Sequence, residues 1–214
     1  KGNWFFGYPD LYNFEFDRNK SVPQESDRSI IPAEAGQDIK RYWLSDIPGT
    51  KREVETIDSL IKVRGLESHL FTGVDANETK IKQIKLPRVL HIASHGYFIK
   101  DEDVAEDKVY GFDRGIVAQN PLLRSGLFLA GAGVFLDSDP FQWKSPENGI
   151  LTAQECLNLD LATTNLVVLS ACETGLGTVQ NAEGVYGLQR ALMVAGAESI
   201  IMSLWRVHDT ATME

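Results

Sequence analysis

The sequence predicts an α/β fold, a mostly parallel sheet with helices on both faces in three layers. Two apolar runs, Arg88-Val89-Leu90-His91-Ile92-Ala93 and Asn165-Leu166-Val167-Val168-Leu169, are short, β-branched and closed by glycine-bearing turns, as buried parallel strands are. Around them strand patterns alternate with helical ones, which argues for a sheet covered on both sides. The chain has 214 residues, 43% of them hydrophobic, enough for one domain that buries its core without staples.

In order, Asn3-Trp4-Phe5-Phe6-Gly7-Tyr8 predicts the first strand, cut by Pro9-Asp10. Residues 17–47 are polar and interrupted by proline, and read as loop. Pro48-Gly49-Thr50-Lys51-Arg52-Glu53 predicts a helix start, with Thr50 and Glu53 spaced for a capping box. Val54, Ile57, Leu60 and Ile61 then share one helical face, and Gly65 supplies the stop. Ser68-His69-Leu70-Phe71-Thr72 is the next strand, followed from near Asn77 by a short helix with Ile81 and Ile84 inward, ended by Pro87. After Arg88–Ala93 the sequence Ser94-His95-Gly96 predicts a tight turn, opening an excursion from Tyr97 to Gly149. An unstructured loop of that length is unusual, so the excursion is expected to carry small elements of its own or a functional flap.

Thr152-Ala153-Gln154-Glu155 repeats the capping-box pattern and starts a short helix that contains Cys156. Leu166–Leu169 is the next strand, running into the turn Ser170-Ala171-Cys172-Glu173-Thr174-Gly175. Glu183 to Ala195 is helical, with Val185, Leu188, Leu192 and Ala195 on one face and Gly196 as its stop. Ser199-Ile200-Ile201-Met202-Ser203-Leu204-Trp205 predicts a last buried strand, and Asp209-Thr210-Ala211-Thr212 a helix start. Because the sequence opens on Lys1 inside a strand pattern and stops at Glu214, it reads as a piece of a longer protein.

The formal net charge is −9, a poor balance for nucleic acid, which needs clustered Lys and Arg. No apolar stretch reaches the roughly 20 residues that cross a bilayer, and no secretory signal shows. Membrane and nucleic acid are therefore not expected partners. Cys156 and Cys172 show neither zinc-ligand nor Cys-x-x-Cys spacing, which points to free thiols in a reducing, cytoplasmic setting.

Chemistry concentrates at the carboxyl ends of the two apolar strands, where open α/β sheets hold ligands. If those strands are neighbours, the His95 imidazole and the Cys172 thiol meet there, as a cysteine nucleophile and its base. His95 would take the thiol proton and later protonate the leaving amine. The backbone N–H groups of Gly96 and Cys172 could stabilise the oxyanion. Cys156 reads as an apolar filler. His91 and His95 have zinc-helix spacing but read as strand and turn, without a third ligand. The acidic residues between Asp101 and Asp107 lack calcium-loop spacing, so no metal is expected, and Gly175-Leu176-Gly177 lacks the ending of a phosphate loop. Asp209 is either an N-cap or an acid for a basic substrate side chain, Arg206 a surface residue or a clamp for an acidic one, and Trp205 a core residue or a cleft wall.

Five segments together resemble the CHAT domain, the caspase-like domain commonly attached to tetratricopeptide repeats in bacteria. They are Leu90–Gly96, Asn120–Leu127, Val168–Gly175, Glu183–Leu188 and Leu204–Asp209, in order from about Pro48 onward. The resemblance implies a caspase-like three-layer fold and a cysteine endopeptidase of the caspase–separase type, with His95 and Cys172 matching the dyad and no cofactor. It implies a protein or peptide substrate, and control by a tetratricopeptide-repeat or other regulatory domain in the same chain or complex. Trp205–Asp209 is similar to a separase segment, and Asp209 is favoured as the acid of a first pocket that takes Arg or Lys, with Trp205 and Ser170 lining it. Trp205-Arg206 also resembles caspases, which cut after Asp. The metacaspase acid two residues before the cysteine is replaced by Ser170, a departure from that branch. The competing function is a catalytically silent interaction or scaffold module.

Overall fold

Asn3–Pro9 forms β1, one strand in from the edge of a mostly parallel seven-stranded sheet in the computed structural model. The structure describes residues 2–12, 44, 46–99, 108–109, 112–138, 145, 147–172 and 183–203. Helix α1 (Pro48–Val63) leads to β2 (Ser68–Gly73), α2 (Glu78–Lys82) to β3 (Val89–Phe98), and α6 (Glu183–Val194) follows β8 (Leu166–Cys172) and precedes β9 (Ile200–Met202). The parallel core runs β2-β1-β3-β8-β9. Winding therefore reverses between β1 and β3, since β1 leads outward to β2 while β3 leads the other way.

The chain between β3 and β8 carries its own elements, as expected of so long an excursion. Short strands β4 (Lys108–Val109) and β5 (Phe112–Asp113) pair with each other, and α3 (Arg114–Gln119) and a 3-10 turn (Pro121–Leu123) follow. Strands β6 (Ser125–Phe128) and β7 (Ile150–Thr152) flank α4 (Ala132–Asp137) and add to the sheet antiparallel. Helix α5 (Ala153–Cys156) follows β7, and here the capping box forms: Glu155 N–H donates to Thr152 Oγ1 while Thr152 N–H donates to Glu155 Oε2.

Strand alternation splits the core. Phe6, Leu90, Ile92, Val167, Leu169 and Ala171 join Ile81 of α2, Cys156 of α5 and Leu188, Ala191 and Leu192 of α6 in the main cluster. Phe5 and Ala93 meet Val54 of α1 on the opposite face. Gly7 lets α1 come this close: a Cβ there would lie 2.7 Å from Val54 Cγ2 and 2.9 Å from the Thr50 carbonyl oxygen. Gly65, at φ +71°, and Gly196, at φ +113°, end α1 and α6 as expected.

Four expectations are corrected. Ser94-His95-Gly96 is no turn, because β3 continues to Phe98 and Gly96, Tyr97 and Phe98 find antiparallel partners in Leu127, Gly126 and Ser125. Likewise β8 does not end at Leu169 but includes Ser170, Ala171 and Cys172, each paired with β3. Leu60 is 60% exposed and lies off the packed face of α1. The last strand is short and partly open, with Ile201 59% exposed.

Candidate active site

His95 and Cys172 are Cα partners in the parallel register of β3 and β8, the last pair after Ala93–Ser170 and Ser94–Ala171. The sequence supplies this arrangement through two strands of like register, Val89 opposite Leu166, so that His95 and Cys172 fall opposite each other where β8 reaches Cys172 and β3 turns to pairing with β6. His95 is half-buried, and Gly96, its neighbour, is buried and opposite Leu127 of β6. Ser94, on the other side, is buried, and its hydroxyl donates to the Phe128 carbonyl, tying β3 to β6.

His91 and His95 share one face of β3 because the strand is continuous, yet four residues of strand separate them by about 13 Å. They cannot share a metal. His91 has a different partner: its Nε2 lies 2.9 Å from Glu53 Oε1, with both side chains largely buried.

The second oxygen of Glu53 accepts from the Ser170 hydroxyl at 3.0 Å. One α1 carboxylate thus bridges β3 and β8 directly below the His95–Cys172 pair. The capping box expected at Thr50–Glu53 does not form, because α1 begins earlier: Ile47 is the N-cap and Thr50 the third residue of the helix, while Glu53 is drawn inward. Thr50 Oγ1 instead donates to the Ile47 carbonyl at 2.8 Å and accepts from Tyr8 N–H at 3.1 Å. That bond fixes the start of α1 at the carboxyl end of β1, where Tyr8 takes φ +48°, uncommon for a bulky residue. Sequence reasoning assigned Glu53 to the helix cap and so missed its contacts with His91 and Ser170.

Trp205 and Asp209, and with them Arg206, lie outside the described residues, as does the acidic stretch from Asp101 to Asp107. The segment that carries Trp205 and Asp209 leaves β9 through Ser203, whose hydroxyl donates to the Ala171 carbonyl at 2.8 Å, next to Cys172 in the chain. Cys156 is fully buried, and burial pushes its thiol far above the ordinary range, so it is no nucleophile.

A second charged group lies on the other side of the sheet. Lys82 Nζ meets Glu78 Oε1 at 2.9 Å, Glu147 Oε2 at 2.6 Å and Glu155 Oε1 at 2.8 Å. The three carboxylates could together hold a cation, and the Lys82 ammonium already takes that place. Glu78 Oε2 also accepts from the backbone N–H groups of Asn148 and Gly149, so the group fastens α2 to the segment before β7 and to α5. Burial, with two further carboxylates crowded on a single ammonium, pushes the Glu78 carboxyl up to about 8.

Among the described residues no helix is long and apolar enough to cross a membrane. No curated protein and no solved structure matches the chain. The sequence profile of the CHAT domain matches residues 15–214, and so begins well before Pro48, where the motif likeness starts. With that match over most of its length, and a mostly parallel sheet between two helical layers beneath it, the chain belongs to the CHAT domain family, a caspase-like, peptidase-related group.

Proposed function

We propose that this CHAT domain is a cysteine endopeptidase that uses His95 and Cys172 as its dyad and cleaves after a basic residue. The observation that carries the reading is the β3–β8 register, in which these two residues are partners at the carboxyl edge of the sheet. Cys172 gives its thiol proton to His95, and the thiolate adds to the carbonyl carbon of the scissile bond. The backbone N–H groups of Gly96 and Cys172 hold the oxyanion. The C–N bond breaks as His95 returns the proton to the leaving amine. Water then adds to the thioester with His95 as base, releasing the acid product and the thiol.

Asp209 is proposed as an acid of the first pocket, with Trp205 and Ser170 lining it; the bond between Ser203 and Ala171 supports this by starting their segment beside Cys172. The reading includes control by a tetratricopeptide-repeat or other regulatory domain in the same chain or complex, and action in a reducing cytoplasm.

Fluorogenic peptides carrying Arg, Lys, Asp or Leu before the reporter test it. Wild type is expected to cut the basic pair, and Cys172→Ala and His95→Ala to lose roughly a thousandfold or more of kcat/KM. Preferential cleavage after Asp overturns the basic preference. Equal activity in wild type and Cys172→Ala overturns the peptidase.

A further inference from the structure

We propose that the Glu53 carboxylate receives the basic side chain of the residue whose bond is cut. This deepens the peptidase reading and rests on it for the ligand being a peptide.

The first argument is position. The reversal of winding between β1 and β3 is where an open α/β sheet forms its ligand crevice, beyond the strand carboxyl ends. Helix α1 begins at that edge, fixed by Tyr8 N–H on Thr50 Oγ1. Glu53 reaches from its first turns to His91 of β3 and Ser170 of β8. Ser170 precedes Cys172 by two residues, about 6.6 Å of strand, within the span of an extended arginine or lysine side chain anchored at the strand tips.

The second argument is charge. An ionised carboxylate offers about four acceptor sites, and His91 and Ser170 occupy only two. Neither partner is a lysine or arginine that would hold the carboxylate with a permanent charge. Among the described residues no lysine or arginine pairs with Glu53, whereas Glu78, Glu147 and Glu155 are all met by Lys82. A carboxylate whose side chain is only 15% exposed gains most from an incoming cation, and a guanidinium can bond it in two directions.

The third argument is shape. On the α1 side of the sheet, Val168 and Ser170 of β8 are half-buried, and Ile201, the register partner of Val168, is 59% exposed. Among the described residues this leaves an apolar strip beside Glu53, suited to the methylene stem of a basic side chain.

The experiment uses Cys172→Ala protein, which binds without turnover, and compares by anisotropy a labelled peptide carrying arginine with the same peptide carrying neutral, isosteric citrulline. The arginine peptide is expected to bind more tightly, and Glu53→Gln to cut the arginine-to-citrulline affinity ratio roughly tenfold or more. Three results overturn the assignment: no arginine preference to begin with, an equal fall for both peptides, or the whole loss appearing in Asp209→Asn and none in Glu53→Gln. Should Glu53→Gln fail to fold, carbodiimide coupling of a bound lysine peptide to otherwise unaltered Cys172→Ala protein decides the matter. A cross-link at Glu53 is expected, and cross-links solely elsewhere overturn the proposal. Failure of the peptidase reading shows separately, as equal turnover by wild type and Cys172→Ala.

Discussion

His95 and Cys172 stand opposite each other as the final register pair of β3 and β8, and the strand that carries Cys172 ends there. The other thiol, Cys156, is fully buried in the main core among Leu188, Ala191 and Leu192. Cys156 is thus enclosed, whereas Cys172 is the last residue of its strand. Iodoacetamide labelling followed by peptide mapping is expected to modify Cys172 within minutes and to leave Cys156 intact in the folded protein. His95→Ala is expected to slow Cys172 labelling about tenfold or more near pH 7, because the thiolate loses its basic partner. Equal, slow labelling of both thiols would favour the silent scaffold.

Gly7 is expected to tolerate no side chain. The Cβ of Gly7→Ala would meet Val54 and the Thr50 carbonyl of α1 well inside contact distance, one of them backbone and unable to turn away. Overpacking of this kind costs about 1–3 kcal/mol, which for a domain of this size lowers the melting temperature by roughly 2–10 °C. Thermal unfolding measures it, and a melting temperature equal to wild type would mean that α1 does not press on β1 as described. The same variant displaces the helix that carries Glu53, so any activity should fall with stability.

The two Thr-x-x-Glu patterns show where local reading succeeds and where it stops. Thr152 and Glu155 form the capping box the spacing predicts, since each finds its partner within the same turn. Thr50 and Glu53 have the same spacing and do not, because Pro48 starts the helix two residues ahead of Thr50, and Glu53 turns inward to His91 and Ser170, contacts 38 and 117 positions away. Strand periodicity located β1, β2, β3, β8 and β9, and glycine stops marked the ends of α1 and α6. Periodicity could not show that β3 runs on through His95, since the partners of Gly96 to Phe98 lie in β6, inside an excursion expected to carry small elements whose places the pattern does not give. The two residues proposed as the dyad were legible as a pair, but only under the condition that their strands were neighbours. Register is a property of the sheet, not of either strand.

The Lys82 group gives stability a pH dependence of defined sign. Glu78 ordinarily titrates at 4.5 and in the fold is pushed up to about 8, chiefly by burial. Between those values the folded protein holds a proton that the unfolded chain has released. The contribution is therefore complete below about pH 4.5 and is lost as pH rises through about 8. The groups that face Glu78 are Lys82 on its own helix, Glu147 ahead of β7 and Glu155 on α5. Lys82 remains charged throughout, because its three carboxylate partners raise it, and Glu147 is held below its usual range by the same ammonium. Glu78→Gln keeps an acceptor for the N–H groups of Asn148 and Gly149 while removing the titration. Its melting temperature is expected to depend less on pH, the gap between wild type and variant shifting by on the order of 5 °C in the variant's favour from pH 5.5 to pH 8.5. Parallel curves would show instead that Glu78 is ionised across the whole range and that the two backbone N–H bonds and Lys82 outweigh burial.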